Sequence, residues 1–313
     1  MARDVLEQPI LVIGAARSGT QLLARVLAAH PDLAYIDEPT LTWRRGNGHL
    51  PHEMFPVSAA RPEVVRSIRE RFREMCEAQG GSRILEKSPA NTLRLGFVRQ
   101  VFPDARLLHL VRDGRDVAVS VRRKFEGNAD KVTRAEVPAP ARSAPARGGP
   151  WVETKRAIAQ AVRKMRSDPP GLDLVYRAPD LFELLLARAG LRRHAIWGPR
   201  IPGFRQLMRT HTPLEVAALQ WRTCVEQVLN YTASHPEAPC LFVRFEDLCN
   251  APRQTAEKVY AFCDLEPGPE LEPVLSRILP VEPRAFERHL TPDEIAQVET
   301  LVGDTLRRLG YEV

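Results

Sequence analysis

Apolar and polar positions alternate along the chain in a few clear rhythms. Ile10 to Ile13 is a short, unbroken apolar run, the pattern of a strand buried on both faces. A glycine turn follows, and then Leu22, Leu23, Val26 and Leu27 recur at helical spacing up to His30-Pro31. The stretch reads as strand, loop and helix. The rhythm returns in ARLLHLVRDGRDVAVSVRRKF, with a strand predicted over Leu107–Val111, a turn at Asp113-Gly114, and Val117, Val121 and Phe125 on one helical face. A shorter strand is predicted to end at Glu86-Lys87, and another covers Leu241–Phe245. His109 falls inside the Leu107–Val111 strand and reads as a hydrogen-bonded core histidine.

Strands separated by helices predict an α/β fold with a central parallel sheet flanked by helices. Ligands of such sheets sit beyond the carboxyl ends of the strands. Residues Gly14–Thr20, Lys87, Arg112 and Arg244 all fall at or near those ends, so the fold would gather distant parts of the chain on one rim. Thr212-Pro213-Leu214-Glu215 and Thr291-Pro292-Asp293-Glu294 are capping boxes with proline at the first helical position. The second opens a final helix running to about Leu309, with Gly310 ending it.

The expected organisation is a single domain over 1–313, its core formed by residues 9–125 and 212–313. Between them a helical insertion or lid is expected over about 126–211. Val137–Pro150, rich in Pro, Ala, Arg and Gly, reads as a loop within it. Trp151–Met165 and Ala178–Leu191 have helical spacing.

Composition narrows the function. The chain has 313 residues with a net charge of +6 and a pI near 9.3, which favours an anionic ligand. Of its 45 basic residues, six are lysine and the rest arginine, whose fork suits oxyanions. A GC-rich genome would give the same excess. No apolar run approaches the length of a transmembrane span, and no signal peptide precedes the first strand. The five cysteines lack C-x-x-C spacing. A cytoplasmic protein with buried free thiols is expected.

The loop itself is GAARSGTQ, residues 14–21. Gly14 and Gly19 have the spacing of a triphosphate-binding loop and Thr20 follows, but its lysine is absent and Arg17 supplies charge from within. Backbone N–H groups of residues 17–21 can surround a tetrahedral oxyanion at a helix N-terminus. Magnesium-triphosphate chemistry needs a lysine and metal-holding groups besides. The pattern therefore favours an activated sulfate, handled without a metal. The alternatives are a small-molecule kinase using ATP-Mg, supported by the glycine spacing, and a non-catalytic nucleic-acid binder, drawing on the arginines between Arg142 and Arg166.

Three segments resemble sulfotransferases that use 3′-phosphoadenosine 5′-phosphosulfate (PAPS). ARSGTQLLARVLAAHPDLAYIDEP is similar to the 5′-phosphosulfate loop and first helix of the protein-tyrosine sulfotransferase branch, which has R-S-G-T-T, a following H-P and an acidic G-E-E-T stretch. LEKSPANTLRLGFVRQVFPDARLLHLVRDGRDVAVS resembles the block ending in the 3′-phosphate motif, and CLFVRFEDLCNAPRQTAEKVYAFCDLE the later strand-and-helix block. The resemblance covers residues 9–125 and 212–265 and implies a P-loop-like sulfotransferase fold. It implies that Arg17 holds the transferring sulfuryl group, and that Ser18, Gly19, Thr20 and Gln21 bind the 5′-phosphosulfate. Arg112 and Ser120 would hold the 3′-phosphate. Lys87 would assist the leaving phosphate, and Glu38 would take the proton from an acceptor hydroxyl on a small molecule, sugar, lipid or peptide tyrosine. The residues left open to simpler roles are Arg17, as a helix cap or a partner of Asp37; Arg112, in a turn ion pair with Asp113; Ser120, bonded into its own helix; Lys87, in a solvated pair with Glu86; and Glu38, as an ordinary loop acid.

Overall fold

The structure is a computed structural model that describes residues 4–125 and 198–313. Five strands form one parallel sheet: β1 (Ile10–Ile13), β2 (Leu33–Asp37), β3 (Arg83–Lys87), β4 (Arg106–Val111) and β5 (Cys240–Arg244), in the order β2-β3-β1-β4-β5. β1 is central, with Val12 opposite Lys87 on one side and Ile13 opposite His109 on the other. All four of its residues are buried, which is why its sequence shows no alternation.

The connections explain where a ligand can sit. β1 passes to β2 through α1 (Thr20–Leu27). β2 then returns to β3 through α3 (Pro62–Glu77), after a short α2 (Thr40–Trp43), and α4 (Leu95–Val101) leads on to β4. Leu23, Val26 and Leu27 of α1 pack with Ile10, Val12 and Leu85 on one face of the sheet. Ile68 and Phe72 of α3 and Phe97 and Val98 of α4 pack with Leu11, Ile13 and Ile84 on the other. Right-handed crossovers require this change of face when the strand order reverses direction. The chain therefore leaves β1 and β3 towards opposite faces, opening a crevice at their carboxyl ends.

A third apolar cluster joins α5 (Gly114–Phe125) to α7 (Pro213–Ser234) and α11 (Pro292–Arg308), through Val117, Val121, Trp221, Val225, Val302 and Leu306. A short α6 (Phe204–Thr210) precedes α7, and α8 (Phe245–Asn250), α9 (Pro252–Phe262) and α10 (Glu272–Leu275) follow β5. Both expected capping boxes are formed, with Thr212 accepting from the Glu215 N–H and Thr291 from the Glu294 N–H. Gly310 turns the chain with a φ of 76° just past the last helix. The expected insertion lies outside the described residues apart from residues 198–211.

A buried ionic knot braces the segment after α2. Glu53 accepts from Arg44 at 3.0 Å and from Arg94 at 2.7 Å, and all three side chains are almost wholly enclosed. Arg94 also donates to Asn91 and lies 4.9 Å from the Phe55 ring centroid.

His109 is fully buried in β4, but neither ring nitrogen has a partner, unlike the hydrogen-bonded core histidine expected. Its ring instead packs edge-on against Phe242 at 5.0 Å. An apolar strand offers it volume but no polar groups. Burial holds its pKa down at about 3, so the folded protein keeps it neutral while the unfolded chain protonates below about 6.5. That difference removes stability as pH falls through this window. His109→Leu should therefore lose less stability than the unaltered protein between pH 7 and pH 5, by roughly 2 kcal/mol, in paired urea titrations. Equal losses in the two proteins would exclude this origin of acid sensitivity.

Candidate active site

The loop after β1 is shaped by two close approaches. A Cβ on Gly14 would lie 2.4 Å from the Leu110 carbonyl oxygen. One on Gly19, whose φ is 94°, would lie 2.2 Å from the Phe245 ring. Gly19 is the N-cap of α1 and gives it no side-chain cap, so the leading N–H groups of the helix have no acceptor of that kind. Ser18 is fully buried with its Oγ unpartnered. Thr20 opens the helix, largely buried. An uncapped helix start beside an orphaned hydroxyl is a fit for the oxygens of a phosphosulfate.

Arg17 has a φ of 71°, a left-handed conformation that a non-glycine residue adopts at a cost. Its Nε donates to Ser120 Oγ at 3.0 Å, joining residues 103 apart in sequence. Ser120 thus reaches out of α5 to the loop. Arg112, just past β4, lays its guanidinium 4.5 Å from the centroid of Phe245, the ring that also meets Gly19. Asp113 does not form a turn pair with Arg112. It is clasped by Arg115, which also reaches Glu299. Trp221 Nε1 donates to the Arg112 carbonyl and fixes this turn.

Lys87 and Glu38 meet at the other side of the crevice. The Glu38 N–H donates to the Lys87 carbonyl at 2.9 Å, extending the β2–β3 ladder by one residue. Lys87 Nζ donates to Glu38 Oε1 at 2.6 Å and lies 2.8 Å from Asp37 Oδ1. The ammonium is buried at 5% side-chain exposure, whereas the carboxylates of Glu38 and Asp37 are open at 40% and 53%. Solvent therefore reaches Glu38. Burial opposes the charge on Lys87, but Glu38 and Asp37 together hold its pKa above the ordinary lysine value. Glu38, like Arg17, has a positive φ, here 47°.

A solvated Lys87–Glu86 pair is not what forms. Successive strand residues point to opposite faces. Glu86 is fully buried on the far side, accepting from Trp43 Nε1 at 2.9 Å and Asn91 Nδ2 at 3.1 Å. Burial raises its pKa to about 7. Arg244 is taken up by the end of the chain, donating to the Leu309 carbonyl and stacking on Tyr311 at 4.5 Å. Gln21 donates to Tyr35 Oη at 2.9 Å. Tyr35 and Asp37 were not read as site residues from the sequence. Their signal was an acid and a phenol at alternate positions of a strand, on the face that carries Lys87.

The model of the Sulfotransferase family matches residues 9–144 and 191–269, and the chain belongs to that family. A Caenorhabditis briggsae protein named for protein-tyrosine sulfotransferase is 30% identical over 129 residues, 37% of this chain and 43% of that protein. The nodulation protein NoeE of Sinorhizobium fredii is 27% identical over 140 residues, 39% of this chain and 33% of that protein. The chain thus matches less than half the length of either relative. A sulfotransferase domain from the curacin biosynthetic pathway is 16% identical, with 98% of this chain and 99% of that domain covered and a TM-score of 0.48.

Gly19→Ala should lower stability by about 2–4 kcal/mol, since the added methyl strains the left-handed backbone and overpacks Phe245. Phe245→Leu in the same chain should recover part of that loss. Urea midpoints of the single and double variants measure both, and a neutral Gly19→Ala would contradict the packing of loop on ring.

Proposed function

We propose that this chain transfers a sulfuryl group from PAPS to an acceptor hydroxyl. The observation that supports it most directly is the pairing of an exposed carboxylate, Glu38, with a buried ammonium, Lys87, beside an uncapped anion loop. Family membership supports the sulfuryl group as the cargo. PAPS, when bound, supplies that group already activated on a phosphate.

Each residue then has a task set by its chemistry. The amides of Gly19, Thr20 and Gln21, with the Ser18 hydroxyl, receive the 5′-phosphosulfate oxygens. Arg17 stabilises negative charge on the sulfuryl oxygens as it moves. Arg112 and Ser120 hold the 3′-phosphate, with Ser120 also fixing the Arg17 side chain through the 3.0 Å bond. Glu38 removes the proton of the acceptor hydroxyl as that oxygen bonds to sulfur. The bond from sulfur to the bridging phosphate oxygen breaks, and Lys87 meets the charge that develops there. The products are the sulfated acceptor, adenosine 3′,5′-bisphosphate and a proton on Glu38. The open edge of the site at Asp37 and Glu38 admits a hydroxyl from solvent.

Adenosine 3′,5′-bisphosphate should stabilise the protein, by about 2.7 kcal/mol at a hundred times its Kd, and ATP-Mg by much less. Thermal melting reads both, and no shift with the bisphosphate would refute the donor. Glu38→Gln should keep the bisphosphate shift while the transfer rate constant from radiolabelled PAPS falls about 10²–10⁴-fold. Arg17→Ala should stay folded and lose about 10²–10³-fold. A Glu38→Gln variant with an undiminished rate would remove Glu38 as the base.

A further inference from the structure

The ammonium of Lys87 is shared by two carboxylates, and the second of them, Asp37, has no part in the chemistry described so far. We infer that Asp37 is a positioning residue that keeps Lys87 charged and aimed while Glu38 is neutralised during transfer; the inference rests on the sulfuryl-transfer reading.

The argument starts from the strand register. Asp37 is the last residue of β2 and lies directly opposite Lys87, the last residue of β3. Both side chains fall on the face of the sheet that α1 covers, as Leu33 and Leu85 do two and one alternations earlier. An ammonium has three N–H donors. Glu38 takes one at 2.6 Å and Asp37 lies 2.8 Å from the nitrogen as an ion-pair partner, which leaves donor capacity for a leaving oxygen.

Glu38 cannot serve as a base and remain a counter-ion. Once it takes the acceptor proton, its attraction for Lys87 is lost. A nearly buried ammonium without a counter-charge is costly, at the moment when its charge is needed. Asp37 keeps its own charge through the step, so the cation remains compensated.

Tyr35 precedes Asp37 by two residues on the same face of β2, and Gln21 donates to the Tyr35 hydroxyl at 2.9 Å. One face of β2 thus carries both the residue that binds Gln21 of the anion loop and the residue that pairs with Lys87. The charged groups set against Lys87 are Asp37 and Glu38 from the end of β2; Glu86, its neighbour on β3, is turned to the opposite face and bound to Trp43 and Asn91.

The chain has six lysines, so a sample labelled with [15N]lysine gives few Nζ resonances, and Lys87→Arg identifies the one that matters. In Asp37→Asn the midpoint of the Lys87 titration should fall by about one pH unit or more. The alkaline limb of kcat for sulfuryl transfer should fall with it. The melting shift given by adenosine 3′,5′-bisphosphate should stay unchanged. Asp37→Glu should restore the alkaline limb. A Lys87 titration or an alkaline limb unmoved in Asp37→Asn overturns the inference. An unaltered protein that transfers nothing from PAPS, yet shows the Lys87 midpoint displaced in Asp37→Asn, overturns the sulfuryl-transfer reading and leaves the electrostatic hold of Asp37 on Lys87 standing.

Discussion

The parallel pairing of β1 with β3 on one side and β4 on the other is the constraint on which everything else rests. β1 is four residues long and wholly buried, so its register is set by the neighbours that saturate its backbone. That register brings the carboxyl ends of the strands to one edge. Arg17 and Ser120, or Glu38 and Lys87, are neighbours only because the strands that carry them stop together. A shift of one residue in β3 would turn Lys87 to the face now occupied by Glu86, and the ammonium would be exchanged for a carboxyl.

The site has two halves with different physics. The loop half relies on backbone: a helix start with no side-chain cap, a buried hydroxyl, and glycines that let Leu110 and Phe245 approach. The β2–β3 half relies on side-chain charge, in which a buried cation is balanced by two open acids. The two halves are joined by Gln21 and Tyr35. Arg17 and Glu38, one in each half, are both held in left-handed backbone, a local cost that the surrounding packing must outweigh.

Much of this was legible in the residues. β1 was bounded correctly by its apolar run, and both capping boxes announced their helices, because these signals are local. β2 was not foreseen: Leu33–Asp37 is a short run directly after a His-Pro turn, and its strand character comes from pairing with β3. The missed pairing hid Asp37, since the partner of a strand-end acid is set by register across the sheet. The fate of Asp113 was equally invisible, because Arg115 two residues on competes for it with help from Glu299, 184 positions away. The motif residues Arg17 and Ser120 were named separately, one for the sulfuryl group and the other for the 3′-phosphate. Their direct bond is a product of the fold.

The knot around Glu53 has a consequence for motion. Arg44 and Arg94 lie on either side of α3 in the chain, and both depend on a single enclosed carboxylate. If the segment from Arg44 to Phe55 peeled away, the buried Arg94 guanidinium would lose Glu53, its partner at 2.7 Å, and the Phe55 ring it packs on. Fraying of that segment is therefore disfavoured. An irregular stretch is thus fastened by charge where it has no sheet or helix ladder to hold it.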